Sequence, residues 1–191
     1  KLEHNTIVKE DGTLTNELII TRHHHWSATA LDEWQKTLAP FGYTEISETV
    51  KDILGRGVNK VIVKVYVPAG SELIDAFLID RSNVLVRYDQ EIDKTYFMFP
   101  MEVAPGNEQK IALTYKLPYT LNLMPVDSYK LFLQKQPGVN PSSLQKKVVL
   151  KPGLGSYKEY PENTFKPDEN GDVTFKGLLQ KDLYLAALVG N

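Results

Sequence analysis

A chain of 191 residues with 42% hydrophobic and 24% charged side chains is long and apolar enough to bury a sizeable core. Its 22 basic and 24 acidic side chains give a formal charge of −2 with no basic block, which argues against a nucleic-acid partner. The lack of cysteine excludes a disulfide scaffold and any thiolate metal site.

The chain opens on a strand almost at Lys1 and reads as a piece of something longer, with any membrane anchor outside it. Its longest terminal apolar run, LYLAALVG, is too short to span a bilayer. Residues 5–26 read as a hairpin turning at Asp11-Gly12. Alternation puts Leu14, Leu18, Ile20, His24 and Trp26 on one face, and Ile19, Thr21, His23 and His25 on the other.

The period then changes. Leu31, Trp34 and Leu38 share a helical face, with Ser27 or Thr29 as cap and Pro40 and Gly42 as the stop. A second short helix after Ser47 is expected to bury Val50, Ile53 and Leu54. Residues 28–55 are therefore a helical insertion between strands.

Strands follow. Val61, Val63, Val65 and Val67 point inward, with Lys60 and Lys64 outward. ELIDAFLID, NVLVRYD, KTYFMFPMEVAPG and QKIALTYKLP continue the pattern, the last with Ile111, Leu113, Tyr115 and Leu117 on one face. YKLFLQKQPG, KKVVLKPG, GDVTFKG and DLYLAALVG add four more candidates. The spacing predicts a mainly β chain, an antiparallel immunoglobulin-like β-sandwich with a short helical insertion and an additional C-terminal β portion. The domain reading is a sandwich over 1–118 with 119–191 packed on it, either as a separate portion or as one continuous domain.

Candidate chemistry is sparse. His23 and His25 project about 6.7 Å apart along one strand face, and His4 on the facing strand is the remaining imidazole that could complete a metal site near Trp26. Without a further ligand, the plain reading is a solvated strand face and no cofactor. Ser143-Leu144-Gln145-Lys146 matches the Ser-x-x-Lys spacing of acyl enzymes, but it leads into a strand rather than opening a helix. Residues 168–172, DENGD, resemble a calcium loop yet lack its helix-loop-helix frame, so a turn explains them. Residues 152–170 read as a long loop in which Tyr157, Tyr160 and Phe165 could stack on sugar rings. In QKQPG, Pro137 and Gly138 must end a strand, and Gln134 and Gln136 share a face suited to satisfying backbone groups or to recognition.

VIVKVYVPAGSELIDA, FMFPMEVAPGNEQKIALTYKLP, YKLFLQKQPG and VTFKGLLQKDLYLAAL, in that order, resemble the C-terminal region of the bacterial domain-of-unknown-function family 4012. The QKQPG run is the most specific of these pieces. The resemblance implies a protein held by one membrane helix upstream, with this region outside the cell at the surface. It carries no catalytic residue onto these positions. Sequence and resemblance together lead to a non-catalytic extracellular module, acting as scaffold or interaction domain. Its partner is expected to be a neighbouring domain of the full-length protein or another envelope protein. The alternative is a carbohydrate- or peptidoglycan-binding module using the 152–170 loop, with cell-wall glycan as ligand.

Overall fold

The computed structural model describes residues 1–167 and 172–191. Its strands are β1 (Leu2–Val8), β2 (Thr13–His23), β3 (Asn59–Pro68), β4 (Glu72–Phe77), β5 (Leu85–Asp89), β6 (Lys94–Val103) and β7 (Glu108–Thr120). The C-terminal third adds β8 (Val126–Leu133), β9 (Ser142–Leu150), β10 (Gly155–Tyr160), β11 (Lys166–Pro167), β12 (Val173–Leu179) and β13 (Leu183–Gly190). They form a seven-stranded sheet, ordered β11-β12-β9-β1-β2-β7-β4, and two three-stranded sheets, β10-β13-β8 and β3-β6-β5. The architecture is the mainly β, sandwich-like one that the strand spacing predicts, with its helical insertion.

One apolar cluster joins all three sheets. The large sheet contributes Val8, Leu14, Ile111, Leu113, Leu117 and Val148; the small ones contribute Phe97, Phe99 and Met101, and Leu185, Ala187 and Val189. The Phe97 and Tyr115 rings meet edge-on at 5.5 Å across the sheets. Of the valines on β3, Val67 is buried, and Val61, Val63 and Val65 pack partly buried against the cluster, while Lys60 and Lys64 face solvent.

One pairing among the described residues departs from a purely antiparallel plan. β1 pairs with β9 in parallel, His4 opposite Lys146 and Thr6 opposite Val148. That pairing is the seam through which the C-terminal strands β9, β12 and β11 join the large sheet. β7 itself runs through position 118, and the sheet is continuous across it.

The first hairpin closes with a three-residue loop rather than the two-residue turn expected. Lys9 donates to the Thr13 carbonyl at 3.0 Å and Gly12 to the Lys9 carbonyl at 2.9 Å. Gly12 takes φ 78°, the left-handed residue of a bulged hairpin.

The insertion comprises α1 (Ala28–Leu38), capped by Ser27, and α2 (Glu48–Lys51), capped by Ser47. It does not bury the residues expected of it. Val50 and Ile53 are exposed, as are Trp34, Phe41 and Tyr43, and Ile46 is its one buried apolar side chain among the described residues. Val50 lies in the four-residue α2 and Ile53 in the π-helical turn Asp52–Arg56 that continues it, and so short a run offers no continuous stripe to pack.

Residues 152–167, the described part of the expected 152–170 loop, are not structureless. β10 pairs with β13 and β11 with β12. The proline and glycine content marked the turns on either side of β10 and hid the six-residue strand between them.

Candidate functional site

β2 ends at His23, and the chain runs on beside the β6–β7 turn: His24 donates its backbone N–H to Asn107 and accepts from Gly106. His23 and His25 do share a side, with Nδ1 to Nδ1 at 3.1 Å. The His24 ring points elsewhere. Its Nδ1 accepts from the Trp26 backbone N–H at 3.2 Å, which leaves Nε2–H to donate to the Gly57 carbonyl at 3.0 Å. His24 thus ties the exit of the insertion to the end of β2. A cavity of about 180 Å³, lined by Arg22, His23, His24, His25, Asn59 and Val103, lies beside it.

His4 is not there. The β1–β2 register sets it opposite Leu18, inside the sandwich, and its Nε2 lies 3.0 Å from the Tyr115 hydroxyl. The candidate set His4, His23 and His25 is therefore not assembled. Among the described residues no cluster of three or more ligating side chains could hold a metal ion. The expected approach of His4 to Trp26 fails because the register pairs His4 with Leu18, well before the end of β2.

That core holds a group of polar side chains that the sequence reading did not connect, although His4, Tyr115 and Lys146 each appear in it separately. Lys146 is completely buried between Leu144 and Val148 on the inward face of β9. Its Nζ donates to Thr6 Oγ1 at 2.6 Å and to the Lys147 carbonyl at 2.9 Å, and lies 5.0 Å from the Tyr129 ring centre. Thr6 Oγ1 donates to Asn16 Oδ1 and is 2.9 Å from the Tyr129 hydroxyl. The Asn16 amide also bonds the Tyr115 hydroxyl. Six side chains, His4, Thr6, Asn16, Tyr115, Tyr129 and Lys146, thus form one connected network from five strands, and each is buried.

Burial sets the protonation of this group. Desolvation holds the Lys146 amine well below the usual lysine range. Desolvation first, and the Lys146 charge second, push His4 well below the usual imidazole range. Desolvation raises both tyrosine hydroxyls. Burial thus disfavours the charged form of both the amine and the imidazole, and their hydrogen bonds to Thr6 and Tyr115 can be made without a charge.

Ser143 and Lys146 do not form a pair. Ser143 is exposed and Lys146 buried, because residues three apart on a strand face opposite ways. The hydroxyl partner of Lys146 is Thr6, which no local motif could reveal. Of the DENGD run, residues 168–171 lie outside the described residues. Asp172 accepts from the Leu150 N–H at 3.0 Å and pairs with Lys147 at 2.8 Å.

The aromatic candidates separate. Phe165 is 3% exposed and packs edge-on to Phe175 in the core. Tyr157 and Tyr160 are each 58% exposed. Tyr157 sits at the bulge in β10. Tyr160 meets Tyr184 edge-to-face, ring centres 5.8 Å apart, and Tyr184 stands directly opposite Phe132 on β8. Tyr160, Tyr184 and Phe132 make an exposed aromatic ledge across all three strands of the β10-β13-β8 sheet, bordered by the exposed Lys130 and Lys158.

Gln134 and Gln136 are both exposed just beyond β8. The corner is tied by Lys135 between them. Its backbone N–H donates to Asp182 at 2.8 Å, and its ammonium bonds the Gln136 carbonyl at 2.7 Å and the Val139 carbonyl. Gly138, at φ 73°, makes the turn. The sequence reading gave the glutamines the task of satisfying backbone groups of a neighbouring loop, or of recognition; the backbone carbonyls of this corner are met by the longer, cationic lysine.

No protein-family model matches the chain, and no curated protein does either. Among solved structures it is similar to an M1 zinc metallopeptidase from Deinococcus radiodurans, in a mutant form bound to a Tyr-Ser-Ala substrate. That similarity is at 13% identity with a TM-score of 0.40, over 99% of this chain and 41% of that one. The non-mutant metallopeptidase from Deinococcus radiodurans gives 13% identity and a TM-score of 0.37, over 99% and 40%. The chain spans about two-fifths of the length of these structures.

Proposed function

We propose that the chain is a non-catalytic interaction module of a bacterial envelope protein. It presents the outer face of the β10-β13-β8 sheet to a neighbouring domain or another envelope protein. The observation that carries this reading is the ledge of Tyr160, Tyr184 and Phe132, three large rings held on adjacent strands and left exposed. Aromatic side chains offer much contact area at little entropic cost, and they concentrate at binding faces. Among the described residues, the polar cluster of His4, Thr6, Asn16, Tyr115, Tyr129 and Lys146 is buried in the core rather than presented on this face. The resemblance of QKQPG and its companion strands to family 4012 supports a place outside the cell. The test is affinity purification of the full-length protein from solubilised envelopes, with wild type against a Phe132→Ser, Tyr160→Ser, Tyr184→Ser variant. Loss of the same co-purifying protein at an unchanged melting temperature supports the reading; undiminished capture by the variant rejects it.

A second reading, glycan binding, is favoured by the exposed phenols of Tyr157 and Tyr160 beside Lys158. A ring can stack on a sugar face while the hydroxyl and ammonium meet its oxygens. Co-sedimentation of the protein with purified peptidoglycan, abolished by Tyr160→Ser, would place the glycan first.

A further inference from the structure

We propose that Lys146 and Asn16 become joined by an intramolecular amide bond, formed through Thr6, that straps β9 to β2 across β1. Three adjacent strands deliver an amine, a hydroxyl and a carboxamide to one point in the core. Nothing in the fold requires a lysine there. Leu144, Val148 and Leu150 fill the same face of β9, and among the described residues no carboxylate pairs with the amine. Burial lowers the pKa of that amine and so favours its neutral form, the one that acts as base and as nucleophile. Thr6 Oγ1 is in hydrogen-bond contact with both the amine and the carboxamide, and all three residues are buried, where proximity alone raises rates by many orders of magnitude.

The chemistry balances without any further reagent. Thr6 Oγ1 adds to Asn16 Cγ while its proton passes to Lys146 Nζ, 2.6 Å away. Lys146 returns that proton to Nδ2 as the Cγ–Nδ2 bond breaks, so ammonia leaves and a Thr6–Asn16 ester remains. The Nζ lone pair then attacks the ester carbon, the Cγ–Oγ1 bond breaks, and the Nζ proton passes to Oγ1. Thr6 is regenerated, and an amide stands where another amide stood. Tyr129, 2.9 Å from Oγ1, supports the departing oxygen. Tyr115 holds the Asn16 amide and is itself held by His4, whose Nδ1 has no partner among the described residues. Tyr115 and His4 are positioning residues.

The location gives the bond a use. The β1–β9 pairing is the seam that attaches the C-terminal strands to the large sheet. A covalent link from β9 to β2 keeps that seam from parting, and it constrains the unfolded chain over most of its length.

The experiment is intact mass spectrometry of the denatured full chain, followed by peptide mapping. The expected mass is lower than the sequence by one ammonia, with the Asn16 peptide joined to the Lys146 peptide and no tryptic cleavage after Lys146. The joint should survive hydroxylamine. Lys146→Met and Asn16→Ala should each restore the full mass, and Tyr115→Phe should slow the loss of ammonia. The proposal is overturned by an unmodified mass in wild type held at mildly alkaline pH, or by Asn16 hydrolysed to aspartate with no link. A link that hydroxylamine cleaves would show the reaction stopping at Thr6, and that removes the role given to Lys146.

Discussion

Lowering the pH from 7 to 4.5 should destabilise the folded chain through one imidazole. His4 is buried, and desolvation, then Lys146, hold its pKa well below the usual 6.5. Between the folded and unfolded pKa values the unfolded chain therefore binds the extra proton. Its contribution to stability is full above about pH 6.5 and declines as pH falls below it. The limiting slope for one proton is about 1.4 kcal/mol per pH unit, which sets a ceiling of about 2.5 kcal/mol on the loss by pH 4.5. For a chain of this size that corresponds to a drop of roughly 5–10 °C in melting temperature. The assay is urea unfolding of wild type and His4→Gln at both pH values. The carboxylates held low by hydrogen bonds, such as Glu48, Asp80 and Asp127, are common to both proteins and cancel in the difference. Wild type should lose about 2 kcal/mol more than the variant over this range. Equal losses in the two proteins would mean that the imidazole is solvated or protonated when folded, and the description of the polar core would fail with it.

Other perturbations should sort by place. Phe99→Ala, at a ring 1% exposed, should cost about 3–5 kcal/mol in urea melts, whereas Lys60→Ala on the outer face of β3 should stay within about 0.5 kcal/mol. Gly12→Ala should fold poorly, since a Cβ there would lie 2.0 Å from the Leu121 carbonyl oxygen at a left-handed φ; Gly138→Ala, also left-handed but in open space, should cost only about 1 kcal/mol. Gln134→Ala and Gln136→Ala should leave the melting temperature unchanged, while Asp182→Ala, which frees the Lys135 N–H, should lower stability by about 1 kcal/mol.

What could be read from the sequence follows how local each signal is. The alternation in β3 and β7 placed Val67, Ile111, Leu113, Tyr115 and Leu117 in the core correctly, because a strand with one buried face states its orientation in its own residues. The same rule would have placed Lys146 inside, between Leu144 and Val148, as it would Thr6 beside Val8 and Asn16 beside Leu14. A polar residue on an apolar strand face is the signal for this cluster, and Ser-x-x-Lys spacing carries no such information. The parallel β1–β9 pairing joins residues about 140 positions apart, and no short window encodes it. Phe165 and Tyr160 differ in burial although both sit in the same proline-rich stretch, because their partners, Phe175 and Tyr184, belong to later strands. Aromatic content located the region; only the sheet determined which ring faces out.

The interaction reading is tested most directly by site-specific photo-cross-linking in intact cells. A photoreactive aromatic amino acid would replace Tyr184 in the full-length protein, and a control would replace Ile62, which is 64% exposed on the other small sheet. The account predicts a discrete covalent adduct from position 184, none from position 62, and loss of the adduct when Phe132 and Tyr160 are changed to serine. Adducts of equal yield from both positions, or none from position 184, would contradict it.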